Sequence, residues 1–260
     1  MLSFVAPLFD TASRRLHARS KTLLLRLEGG LPTLVVVWLV IAVLASAARV
    51  WVSPLPSSDV RLAPYLLLTL APVATFGLAL RWFDNGEDLP QPQWRLARIG
   101  RWTALSREAA ARHPLYGTSG IMVSLLIGML MNVPVRTAEY LVTMPAIPHH
   151  VPAWLSTLHL AMTLDTVVLT SLYVVAFVMA LRKVALFPRF LLLVWLLDIL
   201  SQLLIGRAAS DAGLPANIAV SLSGLLDANI KKVLISVAIW LPYLLLSTRV
   251  NVTYRLREPS

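Results

Sequence analysis

The sequence predicts an all-α membrane protein of six transmembrane helices: a two-helix N-terminal hairpin, then a four-helix bundle, with amphipathic surface helices on the cytoplasmic side. Three observations carry that reading. Six long stretches are apolar, Lys and Arg crowd into alternate connecting segments, and 57% of the residues are hydrophobic while only 14% are charged. A soluble domain carries about 25% charged residues. A helix crossing a hydrocarbon core of about 30 Å needs about 20 apolar residues at 1.5 Å rise each.

Residues 1–28 read as an amphipathic surface helix. Asp10 offers an N-cap, and Leu8, Ala12, Leu16, Leu23 and Leu27 recur at helical spacing while Arg14, Arg15, Lys21 and Arg26 occupy other faces. An Arg-rich amphipathic start is also the pattern of a mitochondrial transit peptide. No cleavable signal peptide is expected, because the first apolar run begins near residue 29 and is too long for one.

The hairpin occupies residues 29–82. Its spans, Gly29 to Ala48 and Leu62 to Leu80, contain no Asp, Glu, Lys or Arg, and a Pro-rich turn around Pro54 and Pro56 joins them. Residues 83–113 form a linker. Asp84 to Pro92 is polar, and Arg95, Arg98, Arg101, Arg107 and Arg112 then alternate with Trp94, Leu96, Ile99 and Trp102. That composition suits a helix lying on an anionic inner leaflet, and equally a solvated helical linker.

Residues 114–257 form the four-span bundle. Pro114 to Val135 is free of charge, Trp154 to Leu181 contains Asp165, Phe190 to Gly206 contains Asp198, and Val233 to Thr248 is clean but short. The short span crosses if Lys231, Lys232 and Arg249 snorkel. Pro215 can open a helix at its first position, so the last span is expected to begin as a longer helix projecting outward.

Orientation follows from the basic residues, which are retained on the cytoplasmic side. Seventeen Lys and Arg lie in segments 1–28, 81–113, 182–189 and after Thr248, against six on the other side: Arg49, Arg61, Arg136, Arg207, Lys231 and Lys232. Both termini are therefore expected in the cytoplasm. The net charge of +10 follows from this topology, and no nucleic-acid recognition fold accompanies it. With no cysteine, the chain has no disulfide, thiolate metal site or Cys nucleophile.

Gly117-Thr118-Ser119-Gly120 resembles the nucleophile motif of rhomboid intramembrane proteases. Depth argues against that chemistry. Ser119 opens span three at the cytoplasmic end and His159 lies near the outer end of span four, roughly 20 Å away at helical rise. His149 and His150 are adjacent on a loop with Pro145 and Pro152, a poor arrangement for one ion. No catalytic residue, metal or cofactor is implied.

Asp165 and Asp198 both lie near the bilayer midplane, where ionisable groups are costly. A tight turn from Arg182 to Pro188 makes spans four and five antiparallel neighbours, so the two acids are expected to face each other. Gln202 shares the face of Asp198 one turn on. Two readings fit: a protonatable pair on a proton or cation path, or neutral acids hydrogen-bonded inside the bundle.

The last span ends on Trp240, Pro242, Tyr243, Ser247 and Arg249. Pro242 frees the carbonyl of Ala238, which predicts a kink. Arg249 is expected at a lipid phosphate or a helix C-terminus. The Trp-Leu-Pro-Tyr and Ser-Thr-Arg-Val elements resemble the ending of bacterial inner-membrane proteins grouped as domain of unknown function 2569, a likeness that extends loosely over residues 114–257. The resemblance implies a bacterial inner-membrane location and a four-span core, and no activity. Residues 1–90 lie outside it.

The functional expectation is a non-catalytic accessory or scaffold subunit. Its partners would be anionic inner-leaflet lipid and either another membrane protein or a second copy of the chain. The alternative is a small proton-coupled transporter or channel using Asp165 and Asp198.

Overall fold

A computed structural model describes residue 20 and residues 22–56, 58–92 and 100–260. Six helices are long and apolar enough to cross a membrane: α1 (Leu31–Trp51), α2 (Ala63–Trp82), α4 (Ile121–Thr143), α5 (Ala153–Leu181), α6 (Phe187–Asp211) and α7 (Ala216–Leu246). By length and composition the chain is a multi-pass membrane protein. Between α2 and α4 lie β1 (Trp102–Ala104) and the short α3 (Arg107–Arg112), and α7 is followed by α8 (Thr248–Arg255) and β2 (Arg257–Pro259).

Two expectations change. The third span was expected to end at Val135, but α4 runs on to Thr143 and carries Arg136 inside the helix. The last apolar run, from Val233, does continue a longer helix as Pro215 predicted: α7 begins at Ala216 with Pro215 at its N-cap, so Lys231 and Lys232 lie within it. The linker is not one amphipathic helix. Residues 102–104 form a strand, and Ser106, whose side chain accepts from the Ala109 amide at 3.1 Å, caps a six-residue helix. Of the expected N-terminal surface helix, residues 1–19 and residue 21 fall outside the described residues, as do linker residues 93–99. Residues 22–29 are helical and lead into α1.

The helix α5 is central. It packs against α2, α4 and α6, and 61% of its most apolar window is buried, against 11% for α1 and for α7. The interior has three strata. One apolar cluster fills the end near α8, around Met122, Leu126, Phe177, Phe187 and Leu191. A second fills the opposite end, around Tyr65, Tyr140, Leu158, Met162 and Ile205. Between them every helix of the bundle contributes polar side chains. Helix association in lipid gains nothing from apolar burial as such, so close packing and interhelical hydrogen bonds carry the cohesion.

Each end of the bundle is fastened by backbone. On one side Arg61 N donates to Ile147 O at 3.0 Å and Val60 bridges Pro148, tying the hairpin turn to the α4–α5 loop. On the other, β1 and β2 pair antiparallel, with Trp102 opposite Pro259 and Ala104 opposite Arg257. Single cysteines on this cysteine-free chain test the arrangement: positions 107 and 258 should share one reagent accessibility and position 149 the opposite one. Labelling of all three from one side would refute it.

Candidate functional site in the polar stratum

Arg136 organises the stratum. It lies seven residues from the end of α4, about 10 Å at helical rise, with a side chain long enough to reach inward. Its Nη2 donates to both carboxylate oxygens of Asp198 on α6, and its Nη1 lies 3.4 Å from Asp165 Oδ2 on α5. Its Nε donates to Asn132 Oδ1, one turn back on α4, at 2.9 Å. The guanidinium stands over the Tyr173 ring, 5.9 Å from the centroid. The planar fork of an arginine suits such a site, because its donors meet two carboxylates without rearrangement.

The remaining acceptors are filled from the same four helices. Tyr173 OH donates to Asp198 Oδ2 at 2.9 Å. Asp165 Oδ1 accepts from Ser201 Oγ at 2.6 Å and from Gln202 Nε2 at 3.0 Å. Asn229 of α7 donates to Gln202 Oε1 at 3.2 Å. Asp198 and Gln202 are fully buried and Asp165 is 9% exposed. The structure thus brings together Asp165, Asp198 and Gln202, with Gln202 bonded to Asp165.

It also adds a cation that the expectation lacked. Two acids facing each other without a cation would have to share protons to be buried. Arg136, assigned by sequence to an outer connection, instead supplies the counter-charge directly. One guanidinium thus stands between two carboxyl groups. Asn132, Arg136, Tyr173 and Asn229 are functional residues that sequence reasoning missed. The signal for them was present, since Asn132, Arg136 and Tyr140 recur every four residues on one face of α4.

A polar cavity of about 70 Å³ adjoins the cluster between α4 and α7, reaching Arg136, Asp198, Asn229 and Lys232. It has room for a few water molecules. Lys232 and Glu139 form an ion pair at its rim. A smaller space of about 20 Å³ touches Arg136 and Asp165. Beyond these, Tyr140 OH lies 2.7 Å from Thr163 Oγ1 and 3.3 Å from His159 Nε2. His159 is therefore a hydrogen-bonded core residue.

The second expected site lies at the other end. Trp240 and Tyr243 make an edge-to-face pair, ring centroids 6.0 Å apart. The helix continues through Pro242 to Leu246, and Ser247, in an extended conformation, separates it from α8. Arg249 is 9% exposed and donates to Ser119 Oγ at 2.8 Å. Its expected lipid or helix-terminal partner is thus replaced by the loop that opens α4. Thr253 accepts from Gly117 N at 3.0 Å, and Ser20 accepts from Gly120 N at 2.8 Å. Ser119 and His159 consequently serve opposite ends of the bundle, and Gly117 to Gly120 forms a docking loop for α8.

Gly120 has φ 75 and ψ −141, a backbone region open essentially only to glycine, and a Cβ there would stand 3.5 Å from Arg249 Nε. Gly120→Ala is expected to cost about 1–3 kcal/mol, read as a lowered thermal midpoint. Arg249→Lys should lose part of this anchoring, because a lysine cannot hold the hydroxyl with the same fork. A Gly120→Ala protein as stable as the parent would refute the docking role. The chain matches no family model, and no curated protein or solved structure matches it, so the reading of its role rests on these residues.

Proposed function

We propose that the chain is a non-catalytic accessory or scaffold protein of a bacterial inner membrane, with both termini cytoplasmic, acting through helix packing with a membrane partner or a second copy. The basic asymmetry supports the orientation, and the resemblance of residues 114–257 to the domain-of-unknown-function proteins supports the location.

The observation that carries the role is the completeness of the polar stratum. The carboxylate oxygens of Asp165 and Asp198 already accept from Arg136, Tyr173, Ser201 and Gln202. The adjoining cavities, about 70 and 20 Å³, are sized for water and too small for an organic solute, which needs about 300 Å³ or more. A satisfied ionic layer fixes the depth and rotation of four helices, and a buried polar contact is best attested in that registering role. Helices α1 and α7 flank this core with most of their apolar surface outward, as on Leu234, Ile235 and Ile239 of α7.

Purification of the intact chain in mild detergent tests the proposal. The expected result is a defined oligomer or a stoichiometric membrane-protein complex that dissociates when Ile235 and Ile239 are replaced by tryptophan. A monomer that moves protons or solute across liposomes would overturn it.

One observation favours a proton-coupled transporter instead: two carboxyl groups share one guanidinium beside a water-sized cavity that runs from Asp198 to the Lys232–Glu139 pair. An Asp198→Asn protein that folds but loses a pH-driven flux present in the parent would establish that reading.

A further inference from the structure

Three arginines gather where α8 and β2 meet the start of α6. The carboxamide oxygen of Asn251 accepts from Arg255 Nη1 at 2.9 Å and from Arg257 Nε at 2.7 Å, so two guanidinium groups lie side by side with an uncharged acceptor between them. Asn251 is fully buried and held in place, its Nδ2 donating to Leu245 O at 3.2 Å and Ser247 O at 2.9 Å. Arg189, in the first turn of α6, stands close enough to act on the charge of Arg255.

Neither Arg189 nor Arg255 forms an ion pair with a carboxylate among the described residues. The Nε of Arg189 and the Nη2 of Arg255 are shut off from solvent and meet no acceptor. Burial first, and then the nearby Arg257 and Arg189, pull the Arg255 guanidinium down to about 10, far below its ordinary value. Buried N–H groups without acceptors and crowded like charges are both unfavourable, and one oxyanion would relieve both.

Its position selects the anion. Arg189 follows two residues after Phe187, where α6 enters the span, which sets it at headgroup depth. Arg257 stacks on Trp102, with 4.8 Å between guanidinium and ring, and an aromatic at that level suits a membrane interface. Two guanidinium groups on one shared acceptor, with a third arginine nearby, match the oxygens of a phosphate group. Arg249, committed to Ser119, takes no part.

We propose that Arg189, Arg255 and Arg257 form a receptor for a phosphate group entering from the headgroup layer on the α8 side of the membrane. The phosphate belongs either to an anionic phospholipid or to a free phosphate compound, and the two sources are separable. The inference is independent of the scaffold reading.

The test uses the full chain, delipidated in detergent and offered phosphatidylglycerol, phosphatidylcholine or inorganic phosphate, with bound lipid counted by native mass spectrometry. The expected result is selective retention of phosphatidylglycerol, weakened by about tenfold or more in Arg189→Gln/Arg255→Gln, as loss of charge-assisted hydrogen bonds entails. Displacement of that lipid by inorganic phosphate, or protection by phosphate alone, assigns the site to a free phosphate compound. Arg255→Lys keeps the charge and loses the fork, so it gives a folded comparison if the double variant fails to fold, and it too should bind more weakly. Equal retention of both lipids by the parent with no effect of phosphate, or undiminished binding in Arg255→Lys and the double variant, would overturn the proposal.

Discussion

Replacing Arg136 by leucine is expected to cost about 3–5 kcal/mol, the penalty for removing one partner of a buried ionic cluster. The loss comes less from attraction forfeited than from what remains, because Asp165 and Asp198 would keep their burial and lose the cation they share. Leucine also cannot hold Asn132 or fill the space over Tyr173. Thermal unfolding followed by tryptophan fluorescence should show a sharply lowered midpoint. Acidification, which neutralises the orphaned acids, should return part of it. Adding Asp165→Asn and Asp198→Asn should return most of the rest, since a neutral layer escapes the desolvation of unpaired charge. An Arg136→Leu protein with the parent's midpoint would mean that the cluster does not tie the bundle together.

Truncating Tyr254 to alanine should cost about 3–5 kcal/mol, as for other buried large aromatics. Tyr254 is fully buried beneath the bundle, its hydroxyl donates to Ala180 O at 2.8 Å, and its ring packs on Phe187 with centroids 5.1 Å apart. It is the bolt that holds α8 against the α5–α6 turn. Tyr254→Phe removes only the hydrogen bond and should cost about 1 kcal/mol. A cysteine at Thr253, protected in the parent, should react readily when Tyr254→Ala is added. Continued protection would show that α8 is held by its other contacts.

The spans were legible because twenty apolar residues in a row have few other uses. The adjacency of α5 and α6 was legible too, since the short turn from Arg182 to Pro188 leaves them little choice, but that Gln202 reaches across to Asp165 was not. Arg136 was not, because a span measured as an unbroken apolar run ends at the first charge, whereas the helix ends where its packing ends. Two buried carboxylates on neighbouring helices call for a cation at their depth, and Arg136 on the facing stripe of α4 answers that call. The early start of α7 was legible from Pro215, and Lys232 reaches Glu139 from within that helix. The partner of Trp102 to Ala104 could not be found locally, because a three-residue strand carries almost no pattern and its mate lies beyond four spans. The Arg249–Ser119 contact was missed because the partner sought for Arg249 was a lipid phosphate or a helix C-terminus, not a hydroxyl of the loop that opens α4.

The pairing of β1 with β2 imposes a parity on the chain. Two strands that share hydrogen bonds must lie on one side of the bilayer, so an even number of crossings separates Ala104 from Arg257. The four helices between them satisfy that condition, and three or five would leave the strands on opposite sides, unable to meet. During insertion the first strand therefore waits for a mate that arrives only once α7 has crossed. A chain that skips a crossing would display both strands as unpaired edges, in opposite compartments, a mark by which a misinserted molecule differs from a finished one.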